Sequence, residues 1–330
     1  MRIKSFALLL CLVAGATGFG HLEAQTAVVR ATVSETIPHY RPEQAILRGL
    51  EVPITDAITD VGEEWTRGYR RLQPKAGLVF LPKLSVDEVK MLEEGSTSLI
   101  LVGREMTADE LKSFQTKYGY SPLRIPVAMD ALIVFVNRAN PITAISMAQL
   151  DAVYSRERRA GAPAPALVWG DLGVKGELAN RTINAYARPE GTTMRTEFAN
   201  QALLGGTFRP GIIDRLDNES LAQSITTDAA GIAFSSLSAW FATNKTLPVV
   251  PPQATDARYP TQEMVTSSKY PMQSLLYLYL NHAPGKPVDP AVYEALHYML
   301  SQEGQSVVAD VGLLPAPPEF VLAALRHLEH

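Results

Sequence analysis

Two short stretches of the chain combine residues that hold anions with positions suited to the task. Thr55-Asp56 stands before the helix-patterned run that carries Trp65, and Gly191-Thr192-Thr193 stands before the one that carries Phe198. The first N–H groups of a helix have no partner within the helix, so hydroxyls and free amides at such a start stabilise negative charge. Arg188 precedes Gly191 by three residues, close enough to aim a planar fork of donors at phosphate, sulfate or carboxylate. The same Thr or Asp types also serve as plain helix caps, and both readings stand at this point. Asp56 has two roles open to it: capping its helix, or accepting a hydrogen bond from the hydroxyl of a protonated oxyanion.

Catalytic signatures are missing from the sequence. It contains no Gly-x-Ser-x-Gly elbow, no HExxH pair, no phosphate loop ending in Gly-Lys-Ser/Thr and no Gly-x-Gly-x-x-Gly fingerprint. Its six histidines have no spacing that sets two on one helix or strand face, so no metal site and no cofactor is expected. His39, His282 and His297 read as ordinary polar residues. The basic loop Arg156 to Pro165, with Arg158 and Arg159, reads as solvated.

The elements that must position these residues follow from periodicity. Val61, Trp65, Tyr69 and Leu72 recur at three- and four-residue steps after Ile58 and predict an amphipathic helix, started at Thr55 or Asp56 and stopped by Pro74. Strand-like runs at Leu78–Leu81 and Leu99–Val102 lead to Thr107-Ala-Asp-Glu110, a capping-box start to a helix through Phe114. Ile125–Asn137 is a long extended run able to carry the chain between domains. A helix is expected at Ser146–Tyr154, strands at Thr182–Tyr186, Ala230–Phe234 and Leu275–Leu280, and helices at Met194–Leu204, Pro290–Ser301 and Glu303–Val311 before a Pro-rich tail. Strand and helix alternate, which predicts an α/β fold. Residues 26–50 show little beyond a strand-like Ala27–Val33.

With 330 residues the chain is long enough for two domains. Hydrophobic residues at 46% against charged residues at 19% mark it as globular. A formal charge of −4 without a long basic run argues against nucleic acid as a partner. Arg2 and Lys4 before the apolar run Phe6–Gly20, with Ala24 at its far side, are the order of a secretory signal cleaved after residue 24, the only expected contact with membrane. A retained anchor is the competing reading, but the run is short for a span of ~20 residues. Lipid attachment at Cys11 is a second alternative, set back by the bulky Leu10 before it. Cleavage removes Cys11, the single cysteine, and leaves a mature chain without disulfides or thiolate metal sites.

The order of these features, from about Val52 to Pro318, resembles the periplasmic phosphate-binding proteins of ABC importers. The resemblance lies in Gly103-Arg-Glu-Met106, Val127–Asn137 followed by Asn140-Pro141, Gln149-Leu150 with Val153-Tyr154-Ser155, Trp169-Gly-Asp-Leu-Gly173, Arg188–Thr193 and Gly231-Ile-Ala-Phe234. Near the end it continues in Tyr270-Pro271, Leu276–Asn281 and Leu300–Gln305. It implies a type II periplasmic-binding-protein fold, two α/β lobes joined by crossing hinge strands, closing on a dehydrated oxyanion without catalysis. With the signal at 1–24, lobe 1 is then formed by 25–128 plus 245–330, and lobe 2 by 129–244.

By the resemblance Thr55, Asp56, Gly103-Arg104, Arg188 and Gly191-Thr192 fall on the family's ligand loops, with phosphate as the cargo and an ABC permease as the partner; Thr193, beside that loop, and Asp130, in the crossing strand, complete the expected ligand set. Three positions depart from the family pattern. The first loop reads Pro53-Ile-Thr-Asp56, Gly103 lacks a serine hydroxyl, and Glu190 stands where a serine is usual. A carboxylate about 4 Å from a bound anion costs roughly 4 kcal/mol at an effective dielectric of 20, so Glu190 must turn away, take a proton, pair with an arginine or exclude phosphate. The alternative function is a binding fold whose anion site has decayed and which recognises a protein or envelope component. An exported hydrolase is a third class, opposed by the missing nucleophile and base.

Overall fold

The computed structural model describes residues 31–83, 85–239 and 241–328. The signal segment, Cys11 and most of the strand-like Ala27–Val33 lie outside the described residues, and Ala31 to Val33 carry no regular structure.

The chain opens with β1 (Gly49–Thr55), a single 3₁₀ turn over Asp56–Ile58, α1 (Thr59–Leu72), β2 (Gly77–Lys83), α2 (Ser85–Glu94), β3 (Leu99–Val102) and α3 (Ala108–Tyr118). β4 (Leu123–Asn137) then leads into β5 (Ile145–Ser146), α4 (Met147–Tyr154), β6 (Asn184–Ala187), α5 (Thr193–Ala202), β7 (Ile213–Asp214), α6 (Asn218–Thr227), β8 (Gly231–Ser236), β9 (Asn244–Leu247), β10 (Val249–Val250) and α7 (Gln262–Thr266). The return comprises β11 (Gln273–Leu280), α8 (Pro290–Met299), α9 (Gln302–Asp310), β12 (Leu314–Pro315) and α10 (Pro318–Leu328).

One strand holds both halves together. The first part of β4, Leu123–Ala131, pairs antiparallel with β11, and its second part pairs with β8 and β9. β1 runs parallel to β2 and β3 on one side of this junction, and β6 runs parallel to β8 and β7 on the other. The returning strand crosses beside it: the Leu132 N–H donates to Met272 O at 2.8 Å, and the Tyr270 hydroxyl donates to Leu132 O at 2.8 Å. Two α/β lobes joined by crossing strands result.

Each lobe has its own core. In lobe 1, Val61, Trp65 and Tyr69 form the buried stripe of α1, four residues apart as a helix face requires. The Trp65 indole donates to Gly304 O at 2.8 Å, satisfying the one polar atom of a ring that is otherwise fully desolvated. A Cβ at Gly304 would meet Tyr298 O at 2.1 Å, so only glycine lets α9 approach this closely. In lobe 2, Phe198 and Phe234 stack with ring centroids 3.7 Å apart. Tyr154 packs against both edge-on while its hydroxyl donates to Ile232 O at 3.0 Å.

Two expectations need correction. The sequence reading returns the chain to lobe 1 at residue 245, yet Leu247, Val249, Val265, Tyr270 and Met272 are buried in the lobe 2 core. The pairing of β9 with β4 and of β10 with β5 keeps this stretch there, so the second crossing falls near Gln273. Nor is the end of the chain a bare Pro-rich tail. Pro318 starts α10, where a missing N–H costs nothing, and Val321, Ala324, Leu325 and Leu328 bury its inner face. Among the described residues no helix is long and apolar enough to cross a membrane.

Candidate functional site

The C-terminal ends of the parallel strands in the two lobes meet across the junction, and a small cavity of about 30 Å³ lies between them. Thr55, Ala57, Ile58 and Gly103 line it from lobe 1, and Thr193, Met194, Glu197 and Gln201 from α5 of lobe 2. Asp130, Leu132, Ser274 and Leu276 of the crossing strands form its floor. β1 ends in the buried run Val52–Thr55, so its last residue brings a hydroxyl to the gap, and β4 is buried from Val127 to Val136 with Asp130 as the one charged residue in that run.

Thr55, fully buried at the end of β1, accepts a long hydrogen bond from the Gly103 N–H at 3.4 Å. Asp56 does not cap α1, because the 3₁₀ turn intervenes and the helix starts on Ile58 without a side-chain cap. Its carboxylate instead accepts from the Thr193 hydroxyl at 2.6 Å, a bond between residues 137 apart in sequence and on opposite lobes. Thr193 is the first residue of α5, where unpartnered N–H groups favour negative charge.

Asp130 is held at the hinge. Its carboxylate accepts from the Ser236 hydroxyl at 2.7 Å, the Ala131 N–H at 2.7 Å and the Leu237 N–H at 3.1 Å. Burial nevertheless pushes it up to about 6, against those three bonds, with Glu197 adding to the rise. Arg188, at the end of β6, donates to Asn218 Oδ1 at 3.1 Å, and its buried Nε has no partner among the described residues. An orphaned guanidinium N–H inside a protein is costly unless a ligand supplies the acceptor.

Other expected residues are placed differently. Arg104 turns its fork to Glu110, with both bonds at 2.8 Å, so a carboxylate of its own lobe takes the role assigned to an anion. Gly191 adopts φ +86, a left-handed turn that suits glycine. Thr192 precedes α5 and donates to Pro189 O at 2.8 Å. Of the expected set, Thr55, Asp130 and Thr193 line the cavity, whereas Asp56, Arg104, Arg188, Gly191 and Thr192 do not. Glu190 is exposed and lines an outer groove with Arg156, Arg195 and Arg209, so it resolves its conflict with an anion by turning away.

Three acidic or amide side chains at the site escaped the sequence reading. Glu197 and Gln201 follow Thr193 at helical steps of four, a spacing that does put them on one face. Glu88 of α2 has no exposure, and neither carboxylate oxygen has a hydrogen-bond partner among the described residues. Burial pushes it up to about 7, with the nearby Thr55 hydroxyl and Arg104 opposing and Asp56 adding to the rise. As pH climbs from the ordinary carboxyl range towards 7, the unfolded chain has released this proton while the folded one retains it. Stability therefore falls with pH across that window and stays reduced above it. Glu88→Gln is expected to raise the melting temperature by a few degrees at about pH 8 and to change it little at about pH 4.5, read by thermal denaturation. A uniform shift at both pH values would disprove the titration of Glu88.

Among the described residues no cluster of His, Cys, Asp and Glu is suited to a metal ion. The arrangement offers hydroxyl, amide and guanidinium donors beside carboxyl acceptors, the chemistry of holding a small polar solute.

Known proteins carry the same architecture. A family model described as a PBP superfamily domain matches residues 53–303. The phosphate-binding protein PstS of Pseudomonas aeruginosa is 30% identical over 328 residues, 99% of each chain. Protein SphX of Synechococcus elongatus is 25% identical over 310 residues, 92% of this chain and 82% of that one. The structure of an ABC-type phosphate transport receptor from Vibrio cholerae superposes with a TM-score of 0.64 at 16% identity, covering 80% of this chain and 99% of that one. PstS from Borrelia burgdorferi superposes with a TM-score of 0.59 at 20% identity, covering 81% and 99%. At those identities the two structures speak for the fold.

Proposed function

Since the chain belongs to the PBP superfamily, and within it to the family of phosphate-binding proteins, we propose that it captures inorganic phosphate between its lobes and delivers it to an ABC-type permease. Export to the periplasm follows from the signal-like residues 1–24. The observation that carries this reading is the Asp56–Thr193 bond, which brings two far-separated segments together beside a small interlobe cavity lined by both polar and apolar side chains.

In this reading Thr55, Thr193 and the Gly103 N–H supply donors on the two walls, and the orphaned Arg188 Nε supplies charge. Asp56 accepts a ligand hydroxyl in place of Thr193, while Gly191 and Thr192 shape the rim. Arg104 acts from behind through Glu110, and Asp130 braces the hinge. No bond to phosphorus is made or broken, and the protein acts as a carrier. The exposed position of Glu190 speaks against the alternative of a decayed site serving only recognition.

Isothermal titration of the mature chain with phosphate, sulfate and organic acids tests the proposal. Saturable one-to-one binding of phosphate, with sulfate much weaker, is the expected result. Absence of heat with every oxyanion would remove transport cargo as the explanation of the cleft.

A further inference from the structure

The cavity wall carries acceptors that a simple anion clamp does not require. Glu197 stands four residues after Thr193 and, among the described residues, accepts one hydrogen bond, from Gln201 Nε2 at 3.2 Å. The Gln201 Oε1 is buried and has no partner among the described residues. Asp130, by contrast, already has three donors. The lobe 2 wall thus offers open lone pairs, which an oxyanion without protons would leave unpaired.

The charges that face Glu197 come from each element around it. Asp130 on the floor repels it, and Arg104 from lobe 1 attracts it. The attraction is blunted because Arg104 is held bidentately by Glu110 and shares its field with the buried Glu88. Asp56 is bonded to Thr193 at the start of the same helix, and Asp214 is paired with Arg195 of that helix. Closure over an anion therefore puts Glu197, Asp130 and the solute into one enclosed space, with no cation committed to Glu197.

We propose that Glu197 takes up a proton as the lobes close over phosphate, so that capture is linked to proton uptake and strengthens as pH falls. The proton comes from solvent and ends on a carboxylate oxygen. The resulting O–H donates to Gln201 Oε1 or to a phosphate oxygen, which satisfies an acceptor that is otherwise orphaned. Burial raises the affinity of Glu197 for its proton in the closed structure, in agreement with this direction.

The inference rests on the phosphate reading, and the test separates the two. Phosphate is titrated calorimetrically into the wild type and Glu197→Gln at about pH 6 and about pH 8, in buffers of low and high ionisation enthalpy. The wild type is expected to take up about one proton more per phosphate than the variant, and its affinity to fall about tenfold more steeply per pH unit. The titration of phosphate itself is common to both and cancels in the comparison. Equal proton uptake by the two proteins overturns the role of Glu197 and leaves phosphate binding intact, and so does a difference that appears with Asp130→Asn instead. The wild type alone supplies a second measure, because uptake no greater than that of phosphate itself also overturns the inference. Failure of the wild type to bind phosphate overturns the function proposed above, and this inference with it.

Discussion

Arg188→Ala is expected to weaken phosphate binding by roughly a hundredfold or more while leaving the fold intact. Truncating one partner of a buried, hydrogen-bonded charge pair costs about 2–5 kcal/mol, and every 1.4 kcal/mol is a factor of ten in affinity. Arg188 gives up little else when it is removed. Its bond to Asn218 Oδ1 is lost, but that oxygen still accepts from the Ser235 hydroxyl at 3.0 Å. The buried Nε that lacked a partner disappears as well, relieving the free protein of an unpaired donor. The melting temperature without phosphate should therefore stay within a few degrees of the wild type, while the stabilisation added by saturating phosphate should vanish. Arg188→Lys keeps the charge but not the fork, and should recover only part of the affinity. Calorimetric titration checks the affinities and thermal denaturation with and without phosphate the melting temperatures, and undiminished affinity in Arg188→Ala would take Arg188 out of the site.

The place of Arg188 between a strand end and a helix start was legible in the sequence, because a strand-like run, an arginine and a Gly-Thr-Thr stretch stand close together along the chain and became the junction of β6 and α5. The same holds for other local signals. The four-residue recurrence of Val61, Trp65 and Tyr69 became α1, Thr107 and Glu110 form a reciprocal capping box, and the run Ile125–Asn137 became the crossing strand β4. What escaped depends on partners distant in sequence. Nothing near Asp56 signals a hydroxyl 137 residues away, and nothing near Arg104 decides between a ligand and Glu110 as its acceptor. β9 and β10 are too short for a period of two to show, and the prolines before α10 read as a stop although the last of them starts a helix. The acids of the cleft were hidden for another reason. Glu88 and Glu197 sit in helices where a charged residue ordinarily faces water, and only tertiary packing buries them.

The same distance in sequence conceals the residue whose loss should destabilise lobe 1 most. Glu294, on α8, has no exposure and gathers three donors from the segment before β1: the Tyr40 hydroxyl at 2.6 Å and the Glu43 and Gln44 N–H groups at 2.9 Å each. Gln73, just after α1, completes the cluster by donating to Tyr40 Oη at 3.2 Å and to Gln44 O at 2.8 Å. Glu294→Ala would strand these donors in the interior, at an expected cost of about 3–5 kcal/mol by comparison with broken buried charge networks. For a chain of this size that corresponds to a fall in melting temperature on the order of 10 °C. Glu294→Gln keeps one oxygen for the two N–H groups but turns an NH₂ towards Tyr40, which then lacks an acceptor, so a smaller loss of about 1–2 kcal/mol is expected. Tyr40→Phe removes the third donor, and combining it with Glu294→Ala should cost less than the sum of the two single losses, since both act on one bond. Thermal and urea denaturation measure the series. Phosphate affinity should not change, because none of these residues lines the cleft. A Glu294→Ala protein that melts with the wild type would mean that water replaces the carboxylate at no cost, and that the segment before β1 is held by its other contacts, among them buried Ile37 and Ile46 and the Tyr40 N–H bond to Glu303.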